Sequence, residues 1–518
     1  KKDWATEAFK SFEASHPRTD DGRAIRVHAI YGGSIEPIDA IVHKKLQVHV
    51  FSPASSLVVP LLNDAWIAAQ GAGAQPIAPK SEPLILSPVV VAMWEPMARA
   101  LGWPDKKLGW GELATLAKTP SAWAKKGHAE WGELRFGHTH PGYSNSGLIA
   151  VIAETYAGAG KQRDLGADDV NAPATLDFVR TIEGAVVHYG RSTGFFFDAL
   201  AEHGPAYLSA AVLYENLVVT SAQAAAAKGK TLAFPLVCLY PREGTEWADH
   251  PYVVLDAPWV GVAERSAAQK LQTFLLARPM QELAQSRYGF RPAMTDVPLG
   301  APIDAAHGAD PKEPQTLLPL PSPRVVQTIL DAWKAKTKRG VDIVIVVDRS
   351  GSMNGPRIEG ARAGLELFLS DLRPTDTTSL VTFSERLDPV SPVGPPAALL
   401  PRVKSMFAAG GTALYDAVLS GQRLAADHGK GDRTHIHAVV VLTDGEDRDS
   451  KITYDQLLAK LSGSESGVGS DVRVFTIGYG AEANENILRS IATKTGGAYF
   501  HGDPENIRSV YDEIASFF

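Results

Sequence analysis

With 518 residues, of which 45% are hydrophobic, the chain is long enough for about three domain-sized cores and is globular in composition. A formal charge of -7 and a pI near 6.1 give no general reason to expect nucleic acid as a partner. Cys238 is the only cysteine, which excludes an intramolecular disulfide and a cysteine-rich metal site, and no apolar run approaches about 18 residues, the length of a membrane span. An opening Lys1-Lys2 in place of Met leaves room for a signal peptide or a membrane anchor ahead of residue 1.

The first segment, DWATEAFKSFEA, spaces Trp4, Phe9 and Phe12 among charges and predicts a helix. AIRVHAIYGG from Ala24 and LQVHVFSP from Leu46 alternate and end in Gly or Pro, as strands leading into loops do, and SIEPIDAIV and SSLVVPLLNDAWIAA follow them as helices. LILSPVVVAMW is a longer apolar run that Pro88 is expected to break, where the chain crosses from one lobe to another. LRFGHTHPGYSNSGLIAVIAETYA adds a strand, a polar loop and an Ala-rich helix. HPYVVLDAPWVGV is expected to return the chain to the first lobe.

Two lobes of strand-loop-helix units, closed by RSAAQKLQTFLLARPMQELAQSRYGFRPA, resemble the type 2 extracellular solute-binding proteins of bacteria over residues 1–297. Members of that family usually open with a β-strand whose loop contributes to the cleft, whereas this chain opens in the helix of Trp4. The resemblance implies a small polar or anionic solute held between the lobes. GYSNS, Gly142 to Ser146, misses the G-x-S-x-G hydrolase elbow because Ser146 stands where the second Gly is needed. Ser144, Asn145 and Ser146 instead suit a helix start that offers hydroxyls and N–H groups to a ligand, or simple helix capping. Ser55 and Ser56 carry the same two readings on the opposite lobe. His138 with His140, and His435 with His437, have no acidic partners at ligand spacing and are read as structural. Nine of the ten tryptophans precede residue 298, and core packing accounts for them better than sugar stacking.

Residues 298–338 begin with a Pro-dense stretch, read as a semi-rigid extended linker, and end in RVVQTILDAWKAKTKR, an amphipathic helix with Val326, Ile329, Leu330 and Trp333 on one face. Then comes VDIVIVVDRSGSM, a β-branched run suited to a central parallel strand, with Asp348, Ser350 and Ser352 at alternate positions after it. Thr412 follows the Gly410-Gly411 pair ahead of a helical run, and HAVVVLTDGED is a second apolar strand ending in Thr443, Asp444 and Gly445. In a doubly wound sheet both strand ends project into the crevice outside the carboxyl edge.

These three motif pieces, in this order, resemble the metal-ion-dependent adhesion site of von Willebrand factor A domains, over residues 339–518. The fold expected for the whole chain is therefore α/β: a two-lobed periplasmic-binding-protein-like module, then a doubly wound, mostly parallel-sheet (Rossmann-like) domain. The resemblance implies that Asp348, Ser350, Ser352, Thr412 and Asp444 hold Mg2+ (or Mn2+ or Ca2+), the two aspartates acting partly through water. It also implies that a protein partner's Asp or Glu carboxylate completes the shell. Neutral hydroxyls leave a magnesium ion under-neutralised, which is the chemical reason for a further anion. The function expected is binding, not catalysis, in an extracytoplasmic protein of the bacterial periplasm or cell surface. A magnesium-dependent phosphotransferase or hydrolase, and a scaffold with a vestigial metal site, are the alternatives. Glu446, Asp447 and Asp449 fail the calcium-loop pattern and are expected to form a solvated rim.

Overall fold

The computed structural model describes residues 1–71, 73–432, 434–461 and 472–518. The chain folds into two compact units, one of residues 1–186 and 190–338, the other of residues 187–189 and 339–518.

The first unit is built around the strand Ile85–Trp94, whose apolar residues are nearly all buried. Its partners change along its length. Ile85 and Leu86 pair with Arg291–Pro292, Ser87 and Pro88 with Trp247–Ala248, and Val89 to Trp94 with Ala210–Tyr214 and Leu236–Leu239, all antiparallel. Pro88 therefore does not break the run as expected. It sits where one set of partners gives way to the next, so its missing N–H interrupts no continuous ladder. A separate two-stranded sheet joins Val50–Phe51 to Val253–Val254, which brings the chain back to the first lobe.

Two hydrophobic cores lie in that lobe, one around Trp4, Phe12, Leu84, Tyr252 and Phe290, the other around Phe51, Leu62, Trp66 and Leu255. The helices Lys2–Ala14 and Val58–Gln70 supply their apolar faces. Of the two early strands expected, only Val50–Phe51 forms. Residues 25–33 carry no strand, because alternation supplies faces but a ladder also needs a neighbouring edge, and only an isolated bridge from Arg18 to Ala24 forms there. Trp4, Trp94 and Trp123 are among the largest fully buried side chains, and Trp94 Nε1 donates to the Leu208 carbonyl at 2.8 Å.

The Pro-dense stretch, residues 298–322, is not an extended linker. It packs on the first unit: Cys238 N–H donates to the Gly308 carbonyl at 2.8 Å, Leu318 N–H donates to the Thr245 carbonyl at 2.9 Å, and Ile303, Ala309 and Leu318 are buried. Over residues 298–322 the prolines keep a long helix from forming but leave carbonyls free to accept, so this stretch forms an ordered belt with one short turn at Ala305–His307. Ser322 caps the helix Pro323–Ala332, whose Val325, Val326, Ile329 and Ala332 are buried, followed by the buried Trp333.

The second unit is a five-stranded, all-parallel sheet in the order Thr377–Phe383, Gly340–Asp348, His435–Thr443, Arg473–Tyr479, Tyr499–Gly502. In chain order this is 2-1-3-4-5, so the strand order reverses beside the first strand. The run Val341 to Val347 is buried throughout, and its alternate residues face opposite layers. Val344 and Val346 join Val439, Val441, Leu414, Val418, Leu488 and Ile491 in one core. Helices Pro356–Asp371 and Ile507–Ala515 pack together through Phe368 and Tyr511, whose rings lie 5.2 Å apart. Each buried Val or Ile in such a layer contributes about 1.5–3 kcal/mol of transfer free energy.

Candidate metal centre

The sheet register sets the site. Leu442 pairs with Val347, so Asp348 and Thr443 end adjacent strands at the same level, beside the point where the strand order reverses. Both are 0% exposed, as is Asp444. Asp348 Oδ1 accepts the Ser350 N–H at 2.7 Å, folding the chain back in a tight turn, and Oδ2 accepts the Thr443 hydroxyl at 2.6 Å. Ser352 Oγ donates to Asp444 Oδ1 at 2.7 Å and lies 3.0 Å from Ser350 Oγ. The following helix takes Gly355 as its N-cap with no side-chain cap, so Asp348 and Ser350 do not serve as helix caps.

Thr412 comes to the same place from a separate loop. A Cβ built on Gly445 would lie 3.8 Å from Thr412 Oγ1 and 3.9 Å from Ser352 Oγ, so both hydroxyls face the Asp444-Gly445 turn. Two of the acids in the solvated rim also hold this loop. Asp449 Oδ2 accepts the Thr412 N–H at 2.7 Å, and Asp447 Oδ1 accepts the Tyr415 N–H at 3.1 Å at the start of helix Leu414–His428. Ser450 Oγ accepts the Asp416 N–H at 3.1 Å. These carboxylates act as the missing cap of that helix, where N–H groups favour negative charge.

The donor set fits a small divalent cation. Ser352 spends its proton on a carboxylate, which leaves hydroxyl lone pairs for a ligand. Two buried carboxylates stand together, and burial, assisted by the charge of Asp444, pushes the Asp348 pKa up to about 6. A cation relieves that repulsion. Arg357 lies outside the three motif pieces: its Nη1 is 2.7 Å from Asp444 Oδ2 and 3.0 Å from Glu482. The sequence does carry a signal for it, since a cation in the first turn of a helix opposes the helix dipole unless an acid holds it. Asp342, a charge inside an apolar strand, is a second such signal. It accepts from Thr377 at 2.8 Å and contacts His428 at 2.8 Å and His437 at 3.1 Å, while His435 pairs with Asp432.

Residues 342–513 match the family model for the von Willebrand factor type A domain. The second unit is a von Willebrand factor type A domain. Such domains often bind a divalent metal and commonly mediate protein–protein interaction and adhesion. An uncharacterised protein of Mycobacterium tuberculosis is 26% identical over 525 residues, spanning 96% of this chain and 72% of that protein. Among solved structures, a von Willebrand factor type A protein from Catenulispora acidiphila is 23% identical with a TM-score of 0.30, covering 35% of this chain and 43% of that one. The periplasmic binding protein P5PA is 12% identical with a TM-score of 0.44, covering 65% of this chain and 97% of that one.

In the first unit the serines expected to present free hydroxyls are mostly buried. Ser146 Oγ is bonded to the Thr139 and Thr193 hydroxyls at 2.8 and 2.7 Å, and Ser144, at the N-cap of helix Asn145–Ala159, makes no side-chain cap bond. Ser55 Oγ accepts the Leu57 N–H at 3.2 Å, and Ser56 N–H donates to Asp249 Oδ1 at 2.7 Å. These groups are spent on the chain itself, because each turn needs a partner for a buried N–H.

Residues without a sequence motif connect the two groups. Asn145 Nδ2 donates to the Tyr214 hydroxyl at 3.2 Å, the Tyr214 ring lies 5.9 Å from that of His250, and His250 N–H donates to the Ala54 carbonyl at 3.0 Å. Asn145 Oδ1 and both His250 ring nitrogens are buried without a hydrogen-bond partner among the described residues, and burial holds the imidazole neutral. The positive φ of 42° at His250, unusual for a non-glycine residue, marks that turn.

Proposed function

We propose that this chain is an extracytoplasmic binding protein of the cell envelope. Its A domain engages a protein partner through a divalent cation at Asp348, Ser350, Ser352, Thr412 and Asp444. The observation that carries this reading is the hydroxyl pair Ser350 and Ser352, set between two buried aspartates at the edge of a parallel sheet. Asp348 and Asp444 orient the site by accepting hydrogen bonds from the hydroxyls of Thr443 and Ser352, and Asp449 fixes the loop of Thr412. A bound magnesium-class ion supplies an electrophilic position that a partner's Asp or Glu completes.

Binding is favoured over phosphoryl transfer because both Asp348 oxygens already accept hydrogen bonds, which blunts the carboxylate as a nucleophile. The amino-terminal unit is assigned a small polar solute beside Asn145, Tyr214 and His250, where buried polar atoms await partners. No helix among the described residues is long and apolar enough to cross a membrane.

Pull-down from native envelope extract, with and without chelator, tests the assignment. Capture that is lost on chelation and in Asp348→Ala supports it. Capture unchanged in both overturns it and leaves an ordinary protein surface.

A further inference from the structure

The interior of the first unit holds three titratable groups that neither binding reading uses. His138 follows the short strand Phe136–Gly137, Glu154 lies within helix Asn145–Ala159, and Glu183 ends helix Pro173–Glu183. Each is 0% exposed, and their donor atoms all lie within 4.8 Å of one another. Both carboxylates arrive from later helices, at no recognisable ligand spacing from His138 in the chain.

Protonation is the difficulty. His138 Nδ1 is 2.8 Å from the Thr139 carbonyl, which only accepts, so Nδ1 carries the hydrogen. In a neutral ring Nε2 then turns its lone pair toward Glu183 Oε1, 3.1 Å away, an oxygen that also accepts the Trp333 Nε1–H at 2.9 Å. Neither oxygen of Glu154 has a hydrogen-bond partner among the described residues. Two ionised carboxylates in a buried pocket need two positive charges. Two protons would neutralise them but leave a Glu154 O–H with no acceptor, a penalty a buried polar group rarely carries. One divalent cation neutralises both carboxylates and uses the imidazole lone pair as well.

We propose that His138 Nε2 and the carboxylates of Glu154 and Glu183 form a buried site for a first-row divalent transition metal of the zinc class. One imidazole with carboxylate oxygens is a donor set for such ions, at bond lengths of about 2.1 Å and a tetrahedral edge of about 3.4 Å. Calcium needs more oxygens and magnesium keeps several waters, which a fully buried site does not offer. The Thr139 carbonyl fixes the His138 tautomer, and Trp333 orients Glu183, the outer hydrogen bonds that metal ligands require. The ion ties a strand end and two helices together and is acquired on folding. This site goes beyond the adhesion reading and shares no residue with it.

The test uses the full chain carrying Asp348→Ala, so that the A-domain site contributes nothing, expressed with added zinc or cobalt and dialysed against chelator. The protein is expected to retain about one equivalent of metal, and the cobalt form to show ligand-field absorption. Adding Glu154→Gln, a near-isosteric change, is expected to lower retained metal more than about tenfold and abolish that absorption, with near-ultraviolet circular dichroism reporting the fold. Should that variant not fold, X-ray absorption on the Asp348→Ala protein decides: one imidazole with oxygen ligands supports the site, and any other shell overturns it. Absence of retained metal, or equal retention in the folded Glu154→Gln protein, also overturns it. Because Asp348 is already replaced, such a failure leaves the adhesion reading standing.

Discussion

The guanidinium of Arg357 sits 2.7 Å from Asp444 Oδ2, while Ser352 Oγ holds the other oxygen of the same carboxylate at 2.7 Å. A fixed positive charge thus shares a ligand with the place proposed for a mobile one. Arg357→Ala is expected to raise magnesium affinity roughly three- to tenfold, since a like charge a few ångströms away is removed. Isothermal titration at low ionic strength measures this. A fall in affinity would mean that orienting Asp444 matters more than repulsion.

Gly410 has φ +87°, and a Cβ there would collide with Glu385 Oε2. Glu385 in turn accepts the Gly411 N–H at 3.2 Å. Gly410→Ala is expected to displace the Thr412 loop and lower metal affinity at least about tenfold without touching a proposed ligand. Thermal unfolding of the variant should stay within a few degrees of the parent, because the strain is confined to an edge loop.

Arg291 and Glu215 form a two-pronged, almost fully buried ion pair at 2.7 and 2.6 Å, and Arg291 also donates to the carbonyls of Asp310 and Pro311 at 3.2 Å. Arg291→Ala leaves a buried carboxylate uncompensated and is expected to cost about 3–5 kcal/mol in denaturant titration. It should also release the 298–322 belt, read as faster limited proteolysis there.

Glu246 is buried, neither carboxylate oxygen has a hydrogen-bond partner among the described residues, and burial raises its pKa well above the ordinary value. The folded state therefore keeps this proton to higher pH than the unfolded chain does. The stability that the proton brings is fully present below about pH 4.3, the unfolded value, and is lost as pH rises through the folded pKa. Glu246→Gln is expected to stabilise the first unit by about 1–3 kcal/mol at pH 8 and to flatten this part of the pH profile. An unchanged profile would show that Glu246 is not its source.

The sequence alone determined the elements whose signal is local. Val341 to Val347 is apolar and β-branched at six of seven positions, so its burial in a parallel sheet follows directly. Asp348, Ser350 and Ser352 share one turn, and their grouping is likewise local. Tertiary structure alone decided the rest, because the partners are distant in the chain. Arg357 meets Asp444 across 87 positions, and Trp333 meets Glu183 across 150. The alternation in residues 25–33 predicts a strand, yet pairing requires an edge that no local pattern supplies. Proline density in 298–322 predicts an extended linker, since composition reports what a segment cannot form and not which carbonyls and side chains it docks. His138 reads as structural in the chain for the same reason: burial and the approach of Glu154 and Glu183 arise only when two helices close over a strand end.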